Sequence, residues 1–361
     1  MIYVSEGLLY VCFAILTGTL LLKLVPEKNR PSVTVPNGLL VACAIAIPVL
    51  SYVPIHKLAL VFAEDFDMTY TSILKSILLD INTGKAWVWT VIGSAGLAFL
   101  LGLKAFRSDK HMPKVALFVT FLLIVWLGYA GHASSLYGFR GLATHAAHFL
   151  AVSVWIGTLF VAGWFSKDDA HWPAFLRWFS PLAIACVLVT LLAGFVLMSF
   201  TTPEYVNAWM LPYGQMLLMK HLLILPLLLF AYSNGFAYKR AAAANPSFSP
   251  KKWVKAESVV ALLALAATAA LGQQTPPHTV KETLQSVSPS PLFTSIYKGQ
   301  FSPDLTLTFS IGLDSLLMLT AALLMAGGVL WMYRSNRVVP AFFMGVLTAA
   351  FGYFGLMFAI A

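Results

Sequence analysis

The sequence has little charge and almost no cysteine. Only 10% of its 361 residues are Asp, Glu, Lys or Arg, whereas soluble domains average about 25%. The three cysteines, Cys12, Cys43 and Cys186, lie far apart in apolar stretches, which excludes a disulfide framework and a C-x-x-C metal or redox motif. No Walker motif, G-x-S-x-G or H-E-x-x-H occurs in a usable context, so we expect neither an ATP-driven pump nor an enzyme.

Apolar residues, in contrast, are abundant enough to form a membrane protein. They make up 59% of the chain, and the mean hydropathy is +0.82. The sequence predicts an all-α polytopic bundle of ten transmembrane helices of about 20 residues each. The predicted spans are 2–25, 37–63, 84–104, 114–132, 143–165, 180–200, 213–237, 253–272, 305–332 and 339–360. Residues 64–83 carry isoleucine and leucine at helical spacing between polar residues, which predicts a short interfacial helix.

The charges indicate an orientation. One set of alternate loops holds 16 of the 23 Lys and Arg residues, whereas the opposite set holds seven of the 14 acidic ones. By the positive-inside rule the cation-rich loops are cytoplasmic, so both termini are expected outside. The net charge of +9 is thereby explained by topology, and no nucleic-acid partner is expected.

Six of the eight histidines fall on the predicted outer side: His56, His132, His145, His148, His221 and His278. His132 is predicted to end the fourth span, and His145 and His148 to open the fifth after a loop of about ten residues. His145 and His148 are three residues apart and share a helix face with Trp155. Imidazole suits copper, zinc, iron or nickel, so we interpret this group as a metal site. The alternative is that these are interfacial residues bonded to loop carbonyls.

Methionines near the same side are a weaker indication of a metal site. Met198, Met216 and Met219 could supply thioether ligands, which would favour Cu(I), although methionine is more often core filler. His221 lies on a different face of the seventh span from the Met pair.

Three ionisable residues lie in or near the apolar spans. Lys220 needs a partner or a route to the headgroups. Asp314, placed about a third of the way into the ninth span, could pair with Lys220, relay protons or bond a neighbouring helix. Glu257 is interpreted as an interfacial ion pair with Lys252 or Lys255. Pro48 and Pro54 are expected to break the second span shortly before His56.

A set of short motifs, taken in order, resembles the CopD family of copper-resistance membrane proteins. The motifs are G-H-A-S at 131–134, H-x-x-A-x-x-x-W-x-G-x-L at 148–159, F-S-P-L-A at 179–183, P-Y-G-Q-M-L-L-M-K at 212–220, the Pro276–Pro277 pair and, more weakly, T-G-K-A-W at 83–87. The match is strong over 128–278 and absent beyond about 300. We therefore divide the chain into a CopD-like membrane domain, 1–300, and two additional C-terminal helices, 301–361.

The resemblance implies a function. Members of the family carry copper across the bacterial cytoplasmic membrane, generally inward, often beside a periplasmic CopC domain, which this sequence lacks. A separate CopC-like partner would then deliver Cu(I) or Cu(II). By position the resemblance supports His132, His145, His148, Trp155, Tyr213, Gly214 and Lys220 as the functional core. The alternatives are a haem b redox protein, because histidines on different helices can be axial ligands, and a copper chaperone for a respiratory oxidase.

Overall fold

The computed structural model describes residues 2–168, 171–238, 241 and 248–361, except for the side chain of Arg107. Within these ranges ten helices are long and apolar enough to cross a membrane, as predicted. The described residues form no β-strand beyond two isolated bridges, so the fold is an all-α bundle. Which side of the membrane each terminus faces stays a prediction from the loop charges.

The α-helices are numbered here along the chain. They are α1 Ile2–Leu24, α2 Asn37–Asp65, α3 Tyr70–Asp80, α4 Asn82–Gly102, α5 Ala105–Ser108, α6 Met112–Ala130, α7 His132–Phe165, α8 Trp172–Thr201, α9 Pro212–Tyr232, α10 Pro250–Leu271, α11 Val280–Ser286, α12 Pro291–Ile296, α13 Leu313–Arg334 and α14 Val338–Met357. A π-helix, Ser233–Ala237, extends α9, and Asn207–Met210 forms a 3₁₀ turn before it.

The short helix predicted within residues 64–83 is confirmed as α3, and its place at a membrane interface stays a prediction. It begins at Thr69, whose side-chain oxygen accepts a hydrogen bond from the Ser72 N–H and so caps the first turn. Ile73 and Ile77 are its buried residues, and they pack with Ile55 and Ala59 of α2. The apolar face of α3 therefore docks on the protein rather than lying alone at a membrane surface.

The helix break expected in the second span is absent. α2 runs without interruption through Pro48 and Pro54. The Pro48 carbonyl accepts hydrogen bonds from the Trp87 indole at 2.9 Å and from the Ser51 hydroxyl. These side-chain donors help satisfy the backbone near the prolines, which is how membrane helices tolerate proline.

The ninth predicted span also begins too early. Residues before α13 are extended and pair with the C-terminus, since Thr308 and Ala361 exchange backbone hydrogen bonds of 3.0 and 2.9 Å. A further bond of 2.7 Å joins the Ser310 N–H to the Ala359 carbonyl. This pairing holds the segment out of the helix, so α13 starts only at Leu313.

The chain forms two compact units, Met1–Leu197 and Met198–Ala361. In the first, α1 packs on α2, α6 and α7, and α4 packs between α2 and α6. The crossing of α1 and α7 is close because both helices carry glycine there: a Cβ built on Gly157 would lie 2.3 Å from the Ala14 carbonyl oxygen. Small residues at such crossings let membrane helices approach each other.

The second unit is built on α9, which packs against α10, α13 and α14. Gln215 on α9 is fully buried, donates to the Trp209 carbonyl at 2.6 Å and accepts a hydrogen bond from the Tyr353 hydroxyl of α14. The last two helices therefore belong to the same packed body as α9 and α10. The sequence-based division at 300 does not coincide with a boundary in packing.

Candidate functional site

The segment that joins α6 to the rest of α7 is helical. The expected ten-residue loop after His132 is wrong: α6 ends at Ala130, and His132 is the first residue of α7. The helical path turns at Gly138, whose φ of 55° and ψ of −131° are accessible to glycine at little cost.

This turn folds the start of α7 back onto itself. A Cβ on Gly141 would lie 1.8 Å from the Ala133 carbonyl oxygen. In an unbroken helix, residues eight apart are separated by about 12 Å. Glycine at 138 permits the turn, and glycine at 141 leaves room for the backbone of the returning segment. His132 is placed at the exposed end of this short segment.

His145 and His148 lie on the straight part of α7 and are half-buried. The His145 ring covers Gly131, because a Cβ built there would be 2.8 Å from His145 Nδ1. His145 is thereby placed beside the residue that precedes His132.

His148 points to a different helix. Its Nδ1 lies 2.9 Å from the Thr190 carbonyl oxygen of α8, and a Cβ built on Gly194 would lie 3.5 Å from its Cε1. A carbonyl can only accept, so Nδ1 carries the proton. In the neutral ring, Nε2 then has the lone pair, as in histidines that bind metals.

The three imidazoles do not form one preformed site. Across the ranges that the structure describes, no group of three or more His, Cys, Asp or Glu residues is placed to hold a metal ion. The expectation that they converge is therefore not met, because His148 turns to α8 whereas His145 turns to Gly131. Their identity as copper ligands stays a prediction.

His56 belongs to a separate aromatic group on α2 and α3. Its Nδ1 lies 2.8 Å from the Tyr70 hydroxyl, which also bonds the Tyr52 hydroxyl at 2.7 Å. The Tyr52 ring stacks on His56 and contacts Trp87. His56 thus has a local hydrogen-bond partner that its sequence position did not reveal.

Trp155 of the H-x-x-A-x-x-x-W motif is a core residue of α7. Its side chain is 4% exposed, and its indole nitrogen is buried without a hydrogen-bond partner among the described residues.

The second unit holds the methionine and lysine candidates. Met198 and Met216 pack against one apolar cluster, formed by Tyr213, Leu217 and Leu271. Met219 packs against a different cluster around Trp209 and Leu222. The predicted pair of thioethers on α9 is therefore divided between two sets of neighbours.

His221 bonds a tyrosine that sequence reasoning did not identify. Its Nδ1 lies 2.8 Å from the Tyr205 hydroxyl, and the Tyr205 ring contacts Trp209 edge-on. Tyr205 lies between α8 and α9, where burial raises the pKa of its phenol to about 12.

Pairing with Lys220, one of the three possibilities considered for Asp314, is not observed. Asp314 is in the first turn of α13, with its side chain 62% exposed, and it forms an ion pair of 3.0 Å with Lys298. An acid in the first turn is also favoured by the helix dipole. Lys220 forms no ion pair with any residue in the described ranges.

A second ion pair links two parts of the segment that follows α10. Lys281 Nζ lies 2.6 Å from Asp304 Oδ1, and the hydrogen bond to Asp304 raises the pKa of Lys281. His278 lies nearby in the chain, with Nδ1 2.9 Å from the Phe200 carbonyl oxygen. Both contacts are within the second unit.

Two family models match the chain. The model described as copper resistance protein D matches residues 173–271, and the model of the copper resistance protein D-like N-terminal domain matches residues 1–142. The second match covers the first four spans, and it includes the first three, where the sequence motifs are weakest.

A relative supports the same family. The chain is 23% identical over 210 residues to the inner membrane protein YebZ of Escherichia coli (strain K12), an alignment that covers 53% of this chain and 70% of the relative. No solved structure matches the chain. Together with ten membrane-spanning helices, these matches show that the chain belongs to the CopD family of copper-resistance proteins and is a multi-pass protein of the cytoplasmic membrane.

Proposed function

We propose that this protein transports copper inward across the cytoplasmic membrane and takes up the ion through His132, His145 and His148. The observation that carries the proposal is the hydrogen bond from His148 Nδ1 to the Thr190 carbonyl. It fixes the ring and its tautomer, with the proton on Nδ1, as in histidines that bind a metal through Nε2.

The neighbouring histidines support this assignment. His145 lies over Gly131, next to His132 at the exposed start of α7. Bringing His132 towards an ion held by His145 or His148 requires the 132–137 segment to move, and Gly138 gives that segment the backbone freedom to do so. The binding site would then form only when copper binds.

Soft ligands are also available in the second unit. The thioethers of Met198, Met216 and Met219 are partly buried in apolar surroundings, which suits Cu(I). Exchange between such ligands would let the ion move without full rehydration. His56, Trp155, Lys220 and His221 remain lower-ranked candidates, and a separate CopC-like carrier remains the proposed copper donor.

Metal analysis of purified protein tests the site. We expect the wild type to retain copper after removal of the excess and the His132→Ala/His145→Ala/His148→Ala variant to lose it. His111→Ala is the matched control, because His111 is exposed and lies at the start of α6. Equal copper content in the wild type and the triple variant would contradict the proposal, as would a Soret absorption band from bound haem.

A further inference from the structure

Glu257 is a buried acid whose position no copper ligand explains. It lies seven residues after Pro250 at the start of α10, and it is 2% exposed. The ion pair with Lys252 or Lys255 expected from the sequence is not formed. Its contact is instead a hydrogen bond of 2.7 Å from Asn234 Nδ2 to Glu257 Oε2.

Asn234 lies in an irregular part of the helix. It belongs to the π-helix Ser233–Ala237, which interrupts the α-helical register at the end of α9. Such π-bulges are rare and are frequently found at functional sites, since they reposition side chains. Here the bulge presents a neutral amide, rather than a cation, to the buried carboxylate.

Tyr333 of α13 is the third residue of this buried polar cluster, after Glu257 and Asn234. Its hydroxyl is buried and has no hydrogen-bond partner among the described residues. Tyr333 is linked to Glu257 through Trp253, which lies one helical turn before Glu257 on α10. The ring is held against Trp253 at 4.4 Å between centroids, and the Trp253 indole is fixed by a hydrogen bond of 3.1 Å to Asn336.

Lys252 and Lys255 of α10 and Arg334 beside Tyr333 are cations near Glu257 in the chain, and the ion pairs of the described residues do not join any of them to Glu257. On α9, Lys220 and His221 precede Asn234 by about 20 Å of helix. On α14 the titratable residue is Tyr353, which bonds Gln215 in the other half of that helix. The groups that face Glu257 are thus Asn234 and, through Trp253, Tyr333.

We propose that Glu257 is a reversible proton-binding site. When ionised, the carboxylate accepts from Asn234 and, once the Tyr333 side chain moves into hydrogen-bond reach, also from the Tyr333 hydroxyl, which has no partner among the described residues. When a proton is bound, the new acid O–H donates to the Tyr333 oxygen instead. The Tyr333 hydroxyl can donate a hydrogen bond in the ionised state and accept one in the protonated state. The buried polar groups therefore have hydrogen-bond partners in both states.

The oxygen atoms around Glu257 favour binding of a proton over binding of copper. A carboxylate, a phenol and an amide offer hard oxygen atoms, without the imidazole or thioether that copper favours. The described residues also supply no third ligand of the usual metal-binding types at this position. Glu257 lies about 10 Å along α10 from Pro250, at the helix end that the loop charges predict to be cytoplasmic.

Infrared difference spectroscopy on the full-length, copper-free protein tests the site. We expect a protonated-carboxyl band that disappears as the pH is raised within about pH 5 to 10, the range open to a buried glutamic acid. The band should be absent from Glu257→Gln and unchanged in Glu282→Gln, which removes an exposed acid. A spectrum with no Glu257-dependent band at any pH in this range would overturn the proposal.

If Glu257→Gln fails to fold, the titration of Tyr333→Phe tests the proposal instead. Removing the hydroxyl takes a donor from the carboxylate, so the midpoint should move upward, by up to about one pH unit or ten-fold in proton affinity. A midpoint identical to that of the wild type would contradict the proposed exchange of partners.

A role for this proton in driving copper rests on the proposed transport function, and a separate measurement distinguishes the two. In proteoliposomes with an internal pH-sensitive dye, copper uptake by the wild type should move protons, and Glu257→Gln should abolish that movement. If the band titrates but no copper accumulates, the transport proposal fails and the proton site stands. If copper accumulates but no band titrates, the proton site fails.

Discussion

At the scale of single residues, the sequence identified candidate side chains but could not identify their partners. His148 was selected from its spacing to His145, whereas the Thr190 carbonyl that orients it is 42 residues away. Asp314 was placed inside a span by hydropathy, although local pairing of the chain puts it at a helix start beside Lys298. Contacts of this kind depend on how helices pack, which residue type and spacing do not encode.

Glu257 also shows that neighbours in sequence need not be partners in the structure. Its neighbours in sequence are Lys252 and Lys255, so an ion pair at the membrane edge was the natural interpretation. The structure turns the carboxylate into the protein, towards Asn234. An acid followed by a long apolar run was the one sequence signal that could have indicated burial.

Tyr205 should make stability depend on pH in alkaline solution. Its folded pKa of about 12 lies above the ordinary value of 10.0 because the phenol is buried. The resulting contribution to stability is complete below pH 10 and is lost as the pH rises towards 12, since only the unfolded chain ionises in that interval. We therefore expect the melting temperature of the detergent-solubilised protein to fall between about pH 10 and pH 12, and to fall less in Tyr205→Phe.

The same substitution removes the hydrogen bond to His221 and should cost about 1 kcal/mol at neutral pH. Tyr3→Phe, which changes an exposed tyrosine, serves as the control and should behave as the wild type. Parallel pH profiles for Tyr205→Phe and the wild type would show that Tyr205 is not protected from ionisation.

At the scale of helices, hydropathy predicted the existence of all ten spans and most of their bounds. It failed where a helix is polar or where an apolar stretch is extended. The start of α7 is helical despite its small and polar residues, because Gly138 and Gly141 let it pack back on itself. Residues 305–312 are apolar in part but pair with the C-terminus.

Gly157 shows that a family motif can be structural. It is the glycine of W-x-G-x-L, and its backbone lies against Ala14 of α1. In Gly157→Ala the new methyl group would collide with a backbone carbonyl, which cannot rotate away, so α1 and α7 must separate. We expect the free energy of unfolding to fall by about 1–3 kcal/mol, measured by chemical denaturation in detergent micelles.

The matched control is Gly96→Ala on α4, where an added Cβ meets nothing within 4 Å. Alanine has the higher helix propensity, so this variant should be as stable as the wild type or slightly more so. Equal losses in both variants would indicate a general effect of replacing glycine rather than a close crossing of α1 and α7.

At the scale of the whole molecule, composition predicted the class of protein, and ordered motifs predicted the CopD family. Packing was less predictable. Residues 301–361 lie outside the motifs, yet Tyr353 of α14 bonds Gln215, which is part of the P-Y-G-Q-M motif on α9. The sequence could not reveal this because 138 residues separate the two side chains. The motif helix and the last helix are thus parts of one body.

The central claim is that the protein moves copper and does not only bind it. Accumulation of radioactive copper in proteoliposomes tests this most directly, with wild type, the His132→Ala/His145→Ala/His148→Ala variant and His111→Ala reconstituted at equal density. We predict copper inside vesicles that contain the wild type or His111→Ala, and a level no higher than that of protein-free vesicles for the triple variant. Copper that binds to wild-type vesicles but never accumulates inside them would contradict transport and favour a delivery chaperone.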